Sequence, residues 1–284
     1  MPTLQFGIKT APQHTTYDAM LAVWREADAT PVFEHAWLFD HFAPIHSDVS
    51  GPCFEGWTLL AAYAAQTERI RVGLMVTGNT YRHPAVLANI AATVDVISNG
   101  RLDLGLGAGW NEYEHRSMGI PLYTPGERIR RLGEACEMIR RLYAEPTVDF
   151  EGRYYRLQEA RCEPKPVQRP HPPFVIGGSG ERLTLRVVAE YADVWNFVSG
   201  PAEEFTRKTG ILHEHCAAVG RDPAEIRLSV QVPVVYDDLV GTAETVQRYV
   251  DAGATHLVLN LRYPYPDGIV ARLATEVVPR VQAG

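Results

Sequence analysis

Short apolar runs of strand length alternate with longer segments whose apolar residues recur every three or four positions, and the alternation continues along the whole chain. Residues 4–8 read as a first strand and 17–29 as the helix after it. Residues 35–39 read as the second strand, followed by a long loop rich in Pro, Ser and His and a helix from about Glu55. The third pair is 71–76 and 84–98, with Pro84 in the first helical turn, where a missing N–H costs nothing. Residues 102–106 and 127–143 make the fourth. The rhythm then breaks: 148–155 reads as a hairpin, and Pro164, Pro166, Pro170, Pro172 and Pro173 forbid a helix. Four more strands follow at 174–176, 194–198, 228–234 and 256–261, with helices from Glu181, Ala202 and Thr242. Eight consecutive strand units in this length predict a closed (β/α)8 TIM barrel with an insertion at about 145–173, between strands four and five. An open sheet rarely needs so many right-handed crossovers in succession. One domain over residues 1–284 is the expectation.

Composition narrows the function classes. The chain has 284 residues, 46% hydrophobic and 21% charged, enough apolar mass for a large core. With 27 Lys and Arg against 34 Asp and Glu, the net charge of −7 has the wrong sign for a nucleic-acid surface. Cys53, Cys136, Cys162 and Cys216 form no CxxC pair, so zinc ribbons and disulfide frameworks are disfavoured and reduced thiols in a cytoplasm are expected. The first residues lack a basic segment followed by an apolar one, and no stretch reaches the roughly 20 apolar residues of a membrane span. The expected partner is a small molecule.

Barrel active sites lie at the C-terminal ends of the strands, and those ends carry chemistry here. The second strand ends in Asp40-His41, a group able to hold or pass a proton beside one that fixes geometry; a hydrogen-bonded core histidine is the plainer alternative. The fourth strand ends in Gly105-Leu-Gly-Ala-Gly109 with Trp110 and Asn111. Its glycines either make a flat floor for a planar ring or let barrel layers pack closely, and their spacing is not that of a dinucleotide fingerprint. The fifth strand ends in Gly177-Gly178-Ser179-Gly180 before a helix expected from Glu181. Unhindered N–H groups at a helix N-terminus suit a phosphate, although a tight turn capped by Ser179 also accounts for the glycines. A metal held by His41 and His46 with Asp40 and Asp48 has no supporting HxH or HExxH spacing. No G-x-S-x-G elbow marks a covalent hydrolase.

The runs Arg69-Ile-Arg-Val-Gly-Leu-Met-Val-Thr-Gly-Asn-Thr-Tyr-Arg-His-Pro-Ala85, Asp95-Val-Ile-Ser-Asn-Gly-Arg-Leu-Asp-Leu-Gly-Leu-Gly-Ala-Gly-Trp-Asn111, Ile176-Gly-Gly-Ser-Gly180 and Ala192-Asp-Val-Trp-Asn196 resemble the bacterial-luciferase-like flavin and deazaflavin oxidoreductases, especially their coenzyme F420-dependent branch. The resemblance spans essentially the whole chain and implies a (β/α)8 barrel with an insertion. It implies that Asp40 and His41 are catalytic and face the deazaflavin ring. It also implies that Met75, Val76 and Thr77 form a bulge behind that ring, often with a non-prolyl cis peptide, and that Gly107, Gly109 and Asn111 touch the cofactor. Gly177, Gly178, Ser179 and Gly180 are expected to receive its phosphate, with Trp110 and Trp195 expected in the substrate pocket. Sugar-phosphate dehydrogenases of this branch carry a catalytic glutamate where this chain has Trp110, which disfavours glucose 6-phosphate. The implied reaction moves a hydride between deazaflavin C5 and an unidentified organic substrate. An FMN-dependent monooxygenase is the alternative, and a non-catalytic barrel binding a phosphorylated ligand is a second one. The resemblance also implies a homodimer.

Overall fold

The computed structural model describes residues 3–282. β1 (Gln5–Thr10) pairs with β2 (Phe33–Leu38), and β2 with β3 (Arg71–Leu74), which a bulge at 75–76 separates from the short β4 (Thr77–Gly78). β5 (Leu102–Gly107) pairs with both β3 and β4. The ring continues through β8 (Phe174–Gly177), β9 (Val194–Phe197), β10 (Arg227–Pro233) and β11 (His256–Leu261), and β11 returns to β1 with every pairing parallel. The result is the closed eight-position barrel that the sequence pattern predicts.

Helices α1 (Tyr17–Ala29), α2 (Gly56–Ala64), α3 (Pro84–Ile97), α5 (Pro125–Ala144), α7 (Ala202–Val219) and α8 (Leu239–Asp251) follow their strands near the expected boundaries. Local chemistry sets the ends: Thr16 accepts from the Ala19 N–H at 3.2 Å, Thr124 caps α5 ahead of Pro125, and Gly220 closes α7 at φ 70°. One helix was not anticipated, α4 (Glu112–Met118), which starts on Asn111 and stops at Gly119 with φ 67°. Between α5 and β8 lies an antiparallel hairpin, β6 (Val148–Glu151) with β7 (Arg156–Ala160). Its turn falls at 152–155, where the Tyr154 and Tyr155 N–H groups donate to Glu134.

Strand alternation divides the core in two. Outward-facing residues such as Leu38, Leu104 and Trp195 pack against the helices, while Trp37, Met75, Val175, Val194 and Val258 fill the barrel's interior. Polar groups also point inward. Near the N-terminal end of the strands His35 and His256 stack at 3.9 Å; Trp37 Nε1 donates to His35 Nδ1 at 2.6 Å, and His256 Nδ1 lies 2.8 Å from Ser229 Oγ. Burial pushes the His35 imidazole well below its usual value and that of His256 down to about 3, so both fold as neutral rings.

The unfolded chain therefore binds more protons than the native one once the pH falls below about 6.5, and stability is lost in that direction. We expect a loss of about 2 kcal/mol per histidine between pH 7 and pH 5, read from urea unfolding at several pH values. A flat profile over that interval would contradict the neutral pair.

Candidate active site

A cavity of about 540 Å³ opens at the C-terminal ends of the barrel strands. Its back wall is the bulge after β3, where the Met75–Val76 peptide is cis, and Met75, Val76 and Thr77 all line it. β5 makes room for that bulge. A Cβ on Gly105 would stand 1.7 Å from the Leu74 carbonyl oxygen, and one on Gly107 would stand 2.6 Å from Val76 Cγ2. Close packing thus explains Gly105 and Gly107, and Gly107 also contributes to the cavity wall beside Gly109, which has φ 77°.

Asp40 and His41 both line the cavity, but they face different partners. Asp40 is buried, with Arg82 donating to it at 2.5 and 3.0 Å; Thr77 Oγ1 also donates to it, and Glu55 takes the remaining edge of the guanidinium. Burial raises the Asp40 carboxyl against the opposing pull of Arg82. His41 Nδ1 lies 2.8 Å from Glu114 Oε2. Glu114, entirely buried in α4, also accepts from the Phe42 N–H at 2.6 Å, the Ala43 N–H at 3.0 Å and the Tyr81 hydroxyl. Burial pushes its carboxyl up, yet the bonds from His41, Tyr81 and Ala43 outweigh that and hold it below the usual glutamate range. An ionised Glu114 can only accept, so the proton sits on Nδ1 and Nε2 is left as the reactive nitrogen.

The glycine end of the cavity differs from expectation. α6 (Thr184–Tyr191) begins three residues later than predicted, with Leu183 preceding it and no side-chain cap, so Ser179 is not its N-cap. Gly177, Gly178 and Thr184 line the cavity; Ser179 and Gly180 do not. The Ser179 carbonyl instead accepts from Lys208 Nζ at 2.9 Å, and Gly180 sits against the Thr184 hydroxyl. Gly178 holds φ 119°, a conformation a side chain would strain. Facing this end from α5 is Arg128, whose buried Nε and Nη1 find no hydrogen-bond partner among the described residues. Buried donors of that kind are rare and mark a place where an acceptor is missing.

Three further placements correct or qualify the sequence-based expectations. Trp195, expected in the substrate pocket, is fully buried outside the barrel against Phe205, its Nε1 donating to the Gly178 carbonyl at 2.8 Å. The period of two that turns Asn196 inward turns Trp195 outward. Asn111, expected at the cofactor, does not line the cavity; its Oδ1 caps α4 by accepting from Tyr113 and Glu114 at 3.1 and 3.3 Å. Trp110 does stand at the rim, 52% exposed, edge-on to His41 and stacked 5.8 Å from His46.

Glu114, Arg82, Arg128 and Lys9 had no expected role. Arg82 lies within the 69–85 run, Asn111 with Gly119 gives α4 a start and a stop signal, and Lys9 directly follows the strand read at 4–8; for Arg128 no local signal exists. Among the described residues, no three or more His, Cys, Asp and Glu side chains gather as a metal-binding group.

Known proteins share this architecture. An uncharacterized protein of Mycobacterium tuberculosis is 33% identical over 189 residues, 66% of this chain and 65% of that protein, so the match spans just under two thirds of its length. An F420-dependent glucose-6-phosphate dehydrogenase of Kineococcus radiotolerans is 29% identical over 87% of this chain and 88% of its own. In fold, the structure of an F420-dependent secondary alcohol dehydrogenase in complex with an F420-acetone adduct superposes with a TM-score of 0.88 at 19% identity, over 99% of both chains. The family model described as luciferase-like monooxygenase matches residues 2–269, and the chain belongs to that family.

Proposed function

We propose that the chain is an F420-dependent oxidoreductase acting on a small organic substrate. Its relatives in Kineococcus radiotolerans and among solved structures are named for that cofactor. The observation that carries the reading is the orphaned Arg128 guanidinium beside Gly177, Gly178 and Thr184, at one end of a cavity that also contains His41. A phosphate-bearing tricyclic cofactor fits that layout. When bound, a deazaflavin supplies hydride exchange at C5.

The chain's own residues do the rest. Arg128 would hold the phosphate in the space lined by Gly177, Gly178 and Thr184, and the Val76 bulge would back the ring. His41, oriented through Nδ1 by Glu114, gives or takes at Nε2 the proton that accompanies hydride transfer. Asp40 acts as a positioning residue through Arg82 and Thr77. The resemblance implies a catalytic glutamate at the place of Trp110 in sugar-phosphate dehydrogenases, and Glu114 is fully engaged by its donors, so we do not assign glucose 6-phosphate as substrate.

An FMN-dependent monooxygenase is the second reading, favoured by the family's description and by the phosphate and tricyclic ring FMN shares with F420. The His41–Glu114 pair speaks against a non-catalytic barrel.

Losing a charge-assisted contact to phosphate costs about 1.5–3 kcal/mol. Arg128→Gln is therefore expected to weaken F420 binding by roughly ten- to a hundredfold, read by fluorescence titration. Equal affinities for the variant and the parent would place the phosphate elsewhere. We carry the homodimer forward from the family resemblance; light scattering at micromolar concentration giving the mass of one chain would overturn it. A cytoplasmic setting is carried forward with it, and no helix among the described residues is long and apolar enough to cross a membrane.

A further inference from the structure

We propose that a side cavity between β1, β11 and the loop after β2 binds a small organic anion that also carries a hydroxyl group, and that this is the substrate site of the oxidoreductase. The inference rests on the functional reading above and adds a substrate class to it. The cavity, about 370 Å³, is walled in part by Lys9, His14, His46, Asn260, Arg262 and Tyr263, and it adjoins the main cavity, sharing Lys9, Phe39, Ile45 and His46 with its wall.

Its charge is one-sided in a chain whose net charge is −7. No carboxylate lines it. Lys9 Nζ donates to Gln231 Oε1 at 2.7 Å, which leaves two of its three donors without a partner among the described residues. Neither Lys9 nor Arg262 forms an ion pair with a described carboxylate, whereas Arg71, Arg82, Arg131, Lys165 and Lys208 all do. Asp48, the acid beside His14, is turned to Ser50, whose N–H and hydroxyl donate to it at 3.0 and 2.9 Å. A buried ammonium without a counter-charge is costly, and an anionic ligand supplies the missing charge.

A second observation points to the hydroxyl. Asn260 Oδ1 is buried at the same cavity and accepts no hydrogen bond from any described residue, while Asn260 Nδ2 reaches Gln231 Oε1 at 3.4 Å. An orphaned acceptor asks for a donor, which a carboxylate or phosphate does not have and a neighbouring hydroxyl does. Lys9 and Gln231 also line the main cavity. An anion held at Lys9 and Arg262 thus lies next to the space assigned to the ring.

Burial lowers the Lys9 amine to about 8, so at pH 8 it reacts with limiting acetic anhydride. Peptide mass spectrometry of the full chain would follow that labelling, with the ion-paired Lys165 and Lys208 as internal references. The probes are lactate, glycerol 3-phosphate and neutral propane-1,2-diol. We expect one of the two anions at millimolar concentration to slow Lys9 labelling at least fivefold, the protecting anion telling carboxylate from phosphate ester, and the diol to have no effect. Arg262→Gln should raise the half-protecting concentration at least tenfold, leaving unprotected labelling and F420 affinity unchanged. Absence of protection by both anions, equal protection by the diol, or an unaltered midpoint in Arg262→Gln would overturn the proposal. F420 affinity, titrated on the same preparations, separates the failures: lost cofactor binding with intact protection sinks the cofactor reading alone, and the reverse sinks this one alone.

Discussion

Replacing His41 by alanine is expected to lower the single-turnover rate of F420 oxidation or reduction by roughly 10²- to 10⁴-fold, the range of general acid–base groups. Affinity for F420 should change little. Glu114 is ionised, buried and fixed by two backbone N–H groups. It keeps a proton on Nδ1 and leaves Nε2 as the nitrogen that can exchange one. The alanine variant keeps those two backbone bonds and the Tyr81 hydroxyl on Glu114, so the loop after β2 stays anchored and the fold survives. A packed core histidine would show the opposite pattern, with stability lost and activity kept in whatever folds. A variant that reacts at the wild-type rate would remove His41 from the mechanism and leave Asp40 and solvent as proton routes.

The second large effect concerns its sequence neighbour. Asp40→Ala is expected to cost about 3 kcal/mol or more of stability, because it removes one partner of a buried ion pair and leaves the Arg82 guanidinium with Glu55 alone. For a chain of this size that lowers Tm by about 5 °C or more. Thr77, whose hydroxyl donates to Asp40 while accepting from Trp57 Nε1 at 3.1 Å, loses its orientation as well. An unchanged Tm with a collapsed rate would make Asp40 a catalytic residue in its own right, not a positioning group acting through Arg82 and Thr77.

The barrel was legible because its eight strands and their main helices announce themselves by period, and because Pro84 marks a helix start without help from tertiary contacts. The prolines from 164 to 173 exclude a helix there, and none lies between β7 and β8. The site was legible only in part, for a physical reason. His41, Trp110, Gly107 and Gly178 sit at strand ends, where chain order alone predicts their position. Their partners are distant in sequence: Glu114 is 73 residues from His41 and Arg82 is 42 from Asp40, so only the closed barrel brings them together. α4 escaped notice because Glu112-Tyr-Glu-His-Arg-Ser-Met118 has no apolar stripe. Trp195 was misplaced because an aromatic at a strand end invites a pocket reading until register shows which face it takes, and Ser179 because the turn at 181–183 delays the helix.

Side-by-side fluorescence titration of the purified chain with F420 and with FMN, at one ionic strength, tests the central claim most directly. Micromolar or tighter F420 binding with weaker FMN binding is the result expected from the Arg128 site and the Asp40–His41 strand end. Equal or tighter binding of FMN would contradict it and move the chain to the flavin monooxygenases of its family.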